Sequence, residues 1–115
     1  MVDDDDEVRL STQDHLRSYG ARVVAFDSAE AFLRAPEAAS VDALITDYWM
    51  PGRTGAELIE GLRLRGATMP AIVISACDSG STEARVLARG AVRFLRKPVD
   101  PDELVGVLKQ FDCLS

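Results

Sequence analysis

At 115 residues, 28% charged and 47% hydrophobic, the chain has the length of one domain and can bury roughly two-thirds of its unfolded surface. No apolar stretch approaches the ~20 residues of a membrane span, the acidic start is the opposite of a signal peptide, and the ordinary apolar fraction argues against disorder. Five of the negatives behind the net charge of −6 sit together as Asp3, Asp4, Asp5, Asp6 and Glu7, leaving −1 for the remainder. The acidity is local: it disfavours a nucleic-acid-binding face and asks for a cation. Two cysteines, Cys77 and Cys113, are too few for a disulfide scaffold or a zinc cluster, so a reducing, cytoplasmic setting is expected.

In chain order, only Met1 and Val2 precede the acidic run, where a strand has typically ~5–6 residues. This first strand is short, truncated, misassigned or compensated by a neighbour. A helix is expected from about Asp6 to Tyr19, with Ser11, Thr12 and His15 interrupting Val8, Leu16 and Tyr19 on its core face. Arg22–Phe26 (RVVAF) reads as a strand, and Asp27 with Glu30 opens a helix. Ala43–Thr46 (ALIT) is the next strand, followed by Thr54 and Glu57 in the pattern of a capping box. Ala71–Ser75 (AIVIS) and Ala91–Leu95 (AVRFL) complete the strands. Asp100, Pro101 and Glu103 start the last helix with a cap, a proline in the first turn and an early glutamate. Gly20, Gly66 and Gly90 fall where helices should stop. Short apolar runs alternating with helices predict a doubly wound α/β fold, a parallel sheet with helices on both faces, as one domain over residues 1–115.

Such sheets bind ligands at the carboxyl ends of their strands. The residues just past each strand are Asp3-Asp4, Asp47, Ser75 and Lys97-Pro98. Three carboxylates, a hydroxyl and an ammonium would therefore meet on one rim. Carboxylates ~4 Å apart repel by ~4 kcal/mol per pair at an effective dielectric of 20, which is unfavourable without a hard cation between them. Mg²⁺ suits that oxygen set, and a phosphoryl group neutralised by the metal and a lysine completes it.

The segments VDD (Val2–Asp4), ITDYWMPGRTG (Ile45–Gly55), AIVIS (Ala71–Ser75) and GAVRFLRKP (Gly90–Pro98) resemble response-regulator receiver domains, CheY-like in fold and similar to receivers of the FixJ type. Asp47 lies 43 residues after Asp4, Ser75 lies 28 after Asp47, and Lys97 lies 50 after Asp47. The resemblance implies a five-stranded sheet in the order 2-1-3-4-5. It implies that Asp47 is the phosphoacceptor of a two-component system, attacking a phosphohistidine on a sensor histidine kinase or phosphotransfer protein. It implies Mg²⁺ held by Asp4 directly, by Asp3 mainly through water, by Asp47 and by the Trp49 backbone carbonyl. Ser75 and Lys97 would contact phosphoryl oxygens, the Lys97-Pro98 peptide would be cis, Phe94 would be the aromatic switch, and Gly55 would begin the third helix. Phosphorylation would alter the surface of the fourth helix, fifth strand and fifth helix, and only differential affinity for a partner could transmit it. A downstream target or a missing output domain would read it, and pairing of two copies is left open. A turnover enzyme is not expected.

Other readings stand beside these. Asp5, Asp6 and Glu7 fit helix-start charges. Trp49 is either an exposed loop aromatic or a shield that slows acyl-phosphate hydrolysis. Cys77 reads as a loop residue, His15 as structural, and Arg85, Arg89, Arg93 and Arg96 as a solvated face or an acidic-partner docking site. A pseudo-receiver, acting as a phosphorylation-independent interaction module, is the alternative function. A cofactor carrier or enzyme of flavodoxin-like or phosphatase-like type is disfavoured, since no Gly-rich phosphate loop follows a strand.

Overall fold

The computed structural model describes residues 1–36, 41–50, 52–76 and 80–111. Its helices are α1 (Asp6–Ser18), α2 (Ala29–Arg34), α3 (Gly55–Leu64), α4 (Gly80–Ala88) and α5 (Pro101–Gln110). Its strands are β1 (Leu44–Asp47), β2 (Ala71–Ser75) and β3 (Arg93–Arg96).

Local chemistry sets the helix starts. The Asp5 carboxylate accepts from the N–H groups of Glu7 and Val8 and so caps α1. Ser28, rather than Asp27, caps α2 by accepting from the Ala31 N–H at 3.1 Å. Thr54 and Glu57 form the reciprocal capping box of α3, and these bonds hold the Glu57 carboxyl below its usual pKa. Asp100 caps α5, with Pro101 in the first turn. Gly20, Gly66 and Gly90 all take positive φ just beyond α1, α3 and α4, as expected of helix-ending glycines.

The sheet is parallel in the order β1-β2-β3, with Asp47 opposite Ile74 and Ser75 opposite Arg96. Val2 extends it as a single residue, bridging in parallel to Thr46 on one side and to Phe26 on the other. The spatial order Phe26, Val2, β1, β2, β3 is therefore the expected 2-1-3-4-5, with its first two members reduced to bridges among the described residues. The predicted strand over residues 22–26 is corrected accordingly. Only Phe26 forms a bridge there: Phe26 N–H donates to Met1 O at 2.9 Å and Asp3 N–H donates to Phe26 O at 3.1 Å, while Val24 contributes only its carbonyl, which accepts from the Met1 ammonium at 2.8 Å.

Strand alternation divides the core into two layers, one on each face. Leu44, Ala71 and Val73 face Phe32 of α2, Leu58, Ile59 and Leu62 of α3 and Val86 of α4. Ile45, Ile72, Ile74 and Leu95 face Leu16 of α1 and Leu104, Val105, Val107 and Leu108 of α5. All five residues of β2 are buried, as a central strand covered on both sides requires.

Candidate functional site

Because the strands run in parallel, their carboxyl ends share one edge. β1 ends in Asp47, whose N–H donates to Val2 O at 2.9 Å, so the residue after Val2, Asp3, is set beside it. β2 ends in Ser75, which is fully buried. Lys97 follows β3 and its N–H donates to Ser75 O at 2.9 Å.

The side chains converge as the sequence requires. Asp3, Asp4 and Asp47 each place a carboxylate oxygen within 4.8 Å of the others; Asp3 and Asp47 are buried and Asp4 is exposed. Lys97 Nζ lies 3.4 Å from Asp3 Oδ2 and 3.4 Å from Asp47 Oδ2. Burial and repulsion from Asp3 and Asp4 push the Asp47 carboxyl up to about 6, with Lys97 pulling the other way. Burial opposes the Lys97 charge, but Asp47 and Asp3 together outweigh it and hold the ammonium above the ordinary lysine value.

These residues fit a hard divalent cation. Asp3 Oδ2 is buried and has no hydrogen-bond partner, although its neighbouring ammonium lies within ion-pair distance. A carboxylate oxygen in that condition calls for a further positive ligand. The donor set is all oxygen, with an exposed member that leaves room for water, which is the pattern Mg²⁺ prefers.

Phe94 is half-buried against the α2–α3–α4 face. It lies opposite Val73, and Ser75 is the next residue of β2 to emerge on that face, so the two are diagonal neighbours. The Lys97-Pro98 peptide is cis. Trp49 sits two residues beyond Asp47, 58% exposed, its ring edge-on to that of Tyr48 at 4.8 Å. Gly55 is required by a close approach: a Cβ there would lie 2.7 Å from the Asp47 carbonyl oxygen and 3.2 Å from Tyr48 Cα. Gly55 N–H meanwhile donates to Tyr48 O at 2.8 Å, so α3 begins hard against the end of β1.

Two contacts beside the site escape sequence reasoning. Arg9 Nη1 donates to the backbone carbonyl of Asp3 at 2.8 Å, and Arg9 also pairs with Asp6. Arg85 Nη1 reaches the hydroxyl of the buried Tyr48 at 3.4 Å, joining α4 to the residue after Asp47. The Asp6–Arg9 pairing at i,i+3 was visible in the sequence, whereas its aim at a backbone atom was not. Of the four arginines, Arg85, Arg89 and Arg93 each have a separate partner. Arg85 reaches Tyr48, Arg89 pairs with Glu60 at 3.3 Å, and Arg93 bonds Val92 O and Gln110 beneath the Phe111 ring. His15 packs on Tyr19, with Nε2 3.5 Å from Asp102 Oδ1 across the α1–α5 seam, a structural place. Cys77, Cys113 and Pro51, four residues after Asp47, lie outside the described residues.

The family model for the response regulator receiver domain matches residues 1–109. The chain belongs to the response regulator receiver domains. The transcriptional regulatory protein FixJ of Azorhizobium caulinodans is 36% identical over 109 residues, covering 95% of this chain and 52% of that protein. FixJ of Bradyrhizobium diazoefficiens is 31% identical over 109 residues, covering 95% of this chain and 53% of that protein. Among solved structures, FixJ-N superposes with a TM-score of 0.86 at 31% identity, covering 96% of this chain and 88% of that one. The signal receiver domain of the putative response regulator NarL from Mycobacterium tuberculosis gives a TM-score of 0.87 at 30% identity, covering 96% and 92%. The receiver spans about half the length of the curated relatives it matches. Among its described residues no helix is long and apolar enough to cross a membrane.

Proposed function

We propose that this receiver is a phosphorylation-dependent switch of a two-component system, taking a phosphoryl group onto Asp47 from a sensor histidine kinase or phosphotransfer protein. The observation that carries the reading is the convergence of Asp3, Asp4 and Asp47 with Lys97 Nζ, 3.4 Å from two of the three carboxylates. A carboxylate oxygen of Asp47 attacks phosphorus, the bond from phosphorus to the donor imidazole nitrogen breaks, and that nitrogen keeps the electron pair. The product is an acyl phosphate on Asp47, and the departing imidazole is neutral because its other ring nitrogen carries a proton. Asp3, Asp4, Asp47 and the Trp49 backbone carbonyl would hold Mg²⁺, which when bound relieves carboxylate repulsion and offsets phosphoryl charge. Lys97 neutralises one phosphoryl oxygen and Ser75 hydrogen-bonds another.

Output follows from that contact. Ser75 draws toward the phosphoryl group, Phe94 turns into the space behind it, and the surface of α4, β3 and α5 changes. A partner reads the change only through different affinity for the two states. The domain extends over residues 1–115, works in the cytoplasm, and undergoes a single phosphorylation per signal rather than enzymatic turnover. Its partner in output is a downstream protein or an attached domain. The FixJ relatives are transcriptional regulators with roughly as much chain again, and a transcriptional output is the counterpart that likeness suggests.

The test is intact mass after incubation with Mg²⁺ and a small phosphodonor. Wild type should gain one phosphoryl group and Asp47→Asn none. No gain in wild type would return the chain to a phosphorylation-independent interaction module.

A further inference from the structure

Asp3 has four polar atoms besides those of a metal, and three are tied down. Its N–H donates to Phe26 O at 3.1 Å, its Oδ1 accepts from the Asp5 N–H at 2.9 Å, and its backbone carbonyl accepts from Arg9 Nη1 at 2.8 Å. Oδ2 alone is left, buried and facing Asp47 and Lys97. The Arg9 guanidinium is itself largely buried, and its other arm is anchored on Asp6 in the first turn of α1. The tie therefore runs from the helix to the loop that carries two of the three carboxylates.

We infer that Arg9 is a positioning residue for the cation site, fixing the Asp3–Asp4 backbone so that both carboxylates point at Asp47. The inference rests on the metal-dependent reading above. Backbone pairing holds the chain as far as the Asp3 N–H, whereas the Asp3 carbonyl is held by the Arg9 side chain, so this tie fixes the peptide that leads into Asp4. The planar fork of arginine presents Nη1 to Asp3 O and Nη2 to Asp6 in one fixed geometry, which the compact, freely rotating ammonium of a lysine does not reproduce.

The sign of the effect separates positioning from plain charge. Arg9 is cationic, so removing it on Coulomb grounds alone would tighten binding of Mg²⁺. Loss of positioning would weaken it, by about 10-fold, as for outer-shell supports of metal ligands. The experiment titrates the metal-free proteins with magnesium chloride at constant ionic strength, following the fluorescence of Trp49, the chain's single tryptophan. Melting temperature in EDTA tracks the fold separately. Arg9→Met should bind Mg²⁺ about 10-fold more weakly, and Arg9→Lys should fall between it and wild type. Unchanged or tighter binding in Arg9→Met overturns the inference and leaves the receiver reading intact. A wild type with no saturable response overturns both. Should Arg9→Met fail to fold, Arg9→Lys decides: weaker binding at a retained melting temperature supports positioning, and wild-type affinity refutes it.

Discussion

Replacing Asp47 with Asn should stabilise the metal-free receiver near neutral pH, although it destroys the proposed acceptor. In the folded protein, burial and the carboxylates of Asp3 and Asp4 push Asp47 from an ordinary 3.8 up to about 6. A folded-state pKa above the unfolded value means that, between those two values, the folded state keeps a proton the unfolded chain has released. Stability therefore falls as pH rises through that window, and the full deficit persists above it. Two units at 1.36 kcal/mol each would be about 3 kcal/mol, and solvent reaching the cleft trims this to about 2 kcal/mol. Asn keeps the shape and removes the charge, while Lys97 retains Asp3 as a partner at 3.4 Å. Urea unfolding in EDTA, followed by far-UV circular dichroism, should show Asp47→Asn more stable by about 2 kcal/mol at about pH 7.5 and equal to wild type near pH 4. In a melt the neutral-pH gain corresponds to roughly 8 °C for a domain of this size. Saturating Mg²⁺ should stabilise wild type and narrow the gap, since the ion binds the folded state alone. A variant less stable than wild type at neutral pH, or a gain that persists unchanged under acid conditions, would refute this electrostatic reasoning.

Gly55→Ala should lose about 1–3 kcal/mol in thermal or urea unfolding. Its new methyl group would sit 2.7 Å from the Asp47 carbonyl oxygen, where only backbone could give way. Lys97→Met leaves Asp3 and Asp47 without their facing ammonium, so metal-free stability near neutral pH should drop by about 1–3 kcal/mol and Mg²⁺ should recover part of it, read from melting temperatures with and without the ion. Trp49→Asn should shorten the acyl-phosphate lifetime severalfold if the exposed indole keeps water from the phosphorus, measured as decay of phosphorylated protein by intact mass.

The rim was legible in the sequence because each chemical residue directly follows an apolar run, and parallel strands bring such positions to one edge. Asp3, Asp4, Asp47 and Lys97 needed only strand ends to be placed. Strand limits were harder to read, because pairing depends on neighbours. The apolar pattern of residues 22–26 promised a strand, yet only Phe26 forms a bridge, with Val24 O bonded to the Met1 ammonium beside it. The last strand begins two residues later than its apolar run, since Ala91 N–H is spent on Val86 O in closing α4. Asp47 belongs to β1, one residue past the expected end, because its N–H bonds Val2 across the sheet. Ser28 displaced Asp27 as the cap of α2 because either residue type can accept from the first turn, and composition alone does not choose. The contact of Arg9 with the Asp3 loop was invisible for a different reason. Its partner is a backbone carbonyl, and a carbonyl has no letter in the sequence.

The central claim is that Asp47 carries an acyl phosphate, and trapping that bond tests it most directly. The receiver would be incubated with Mg²⁺ and a small phosphodonor, reduced with borohydride, digested and sequenced by mass spectrometry. Reduction converts an aspartyl phosphate to homoserine, so the account predicts homoserine at position 47 and unmodified aspartate at positions 3 and 4. Homoserine at another aspartate, or a phosphoryl group on a serine or threonine with position 47 untouched, would contradict it.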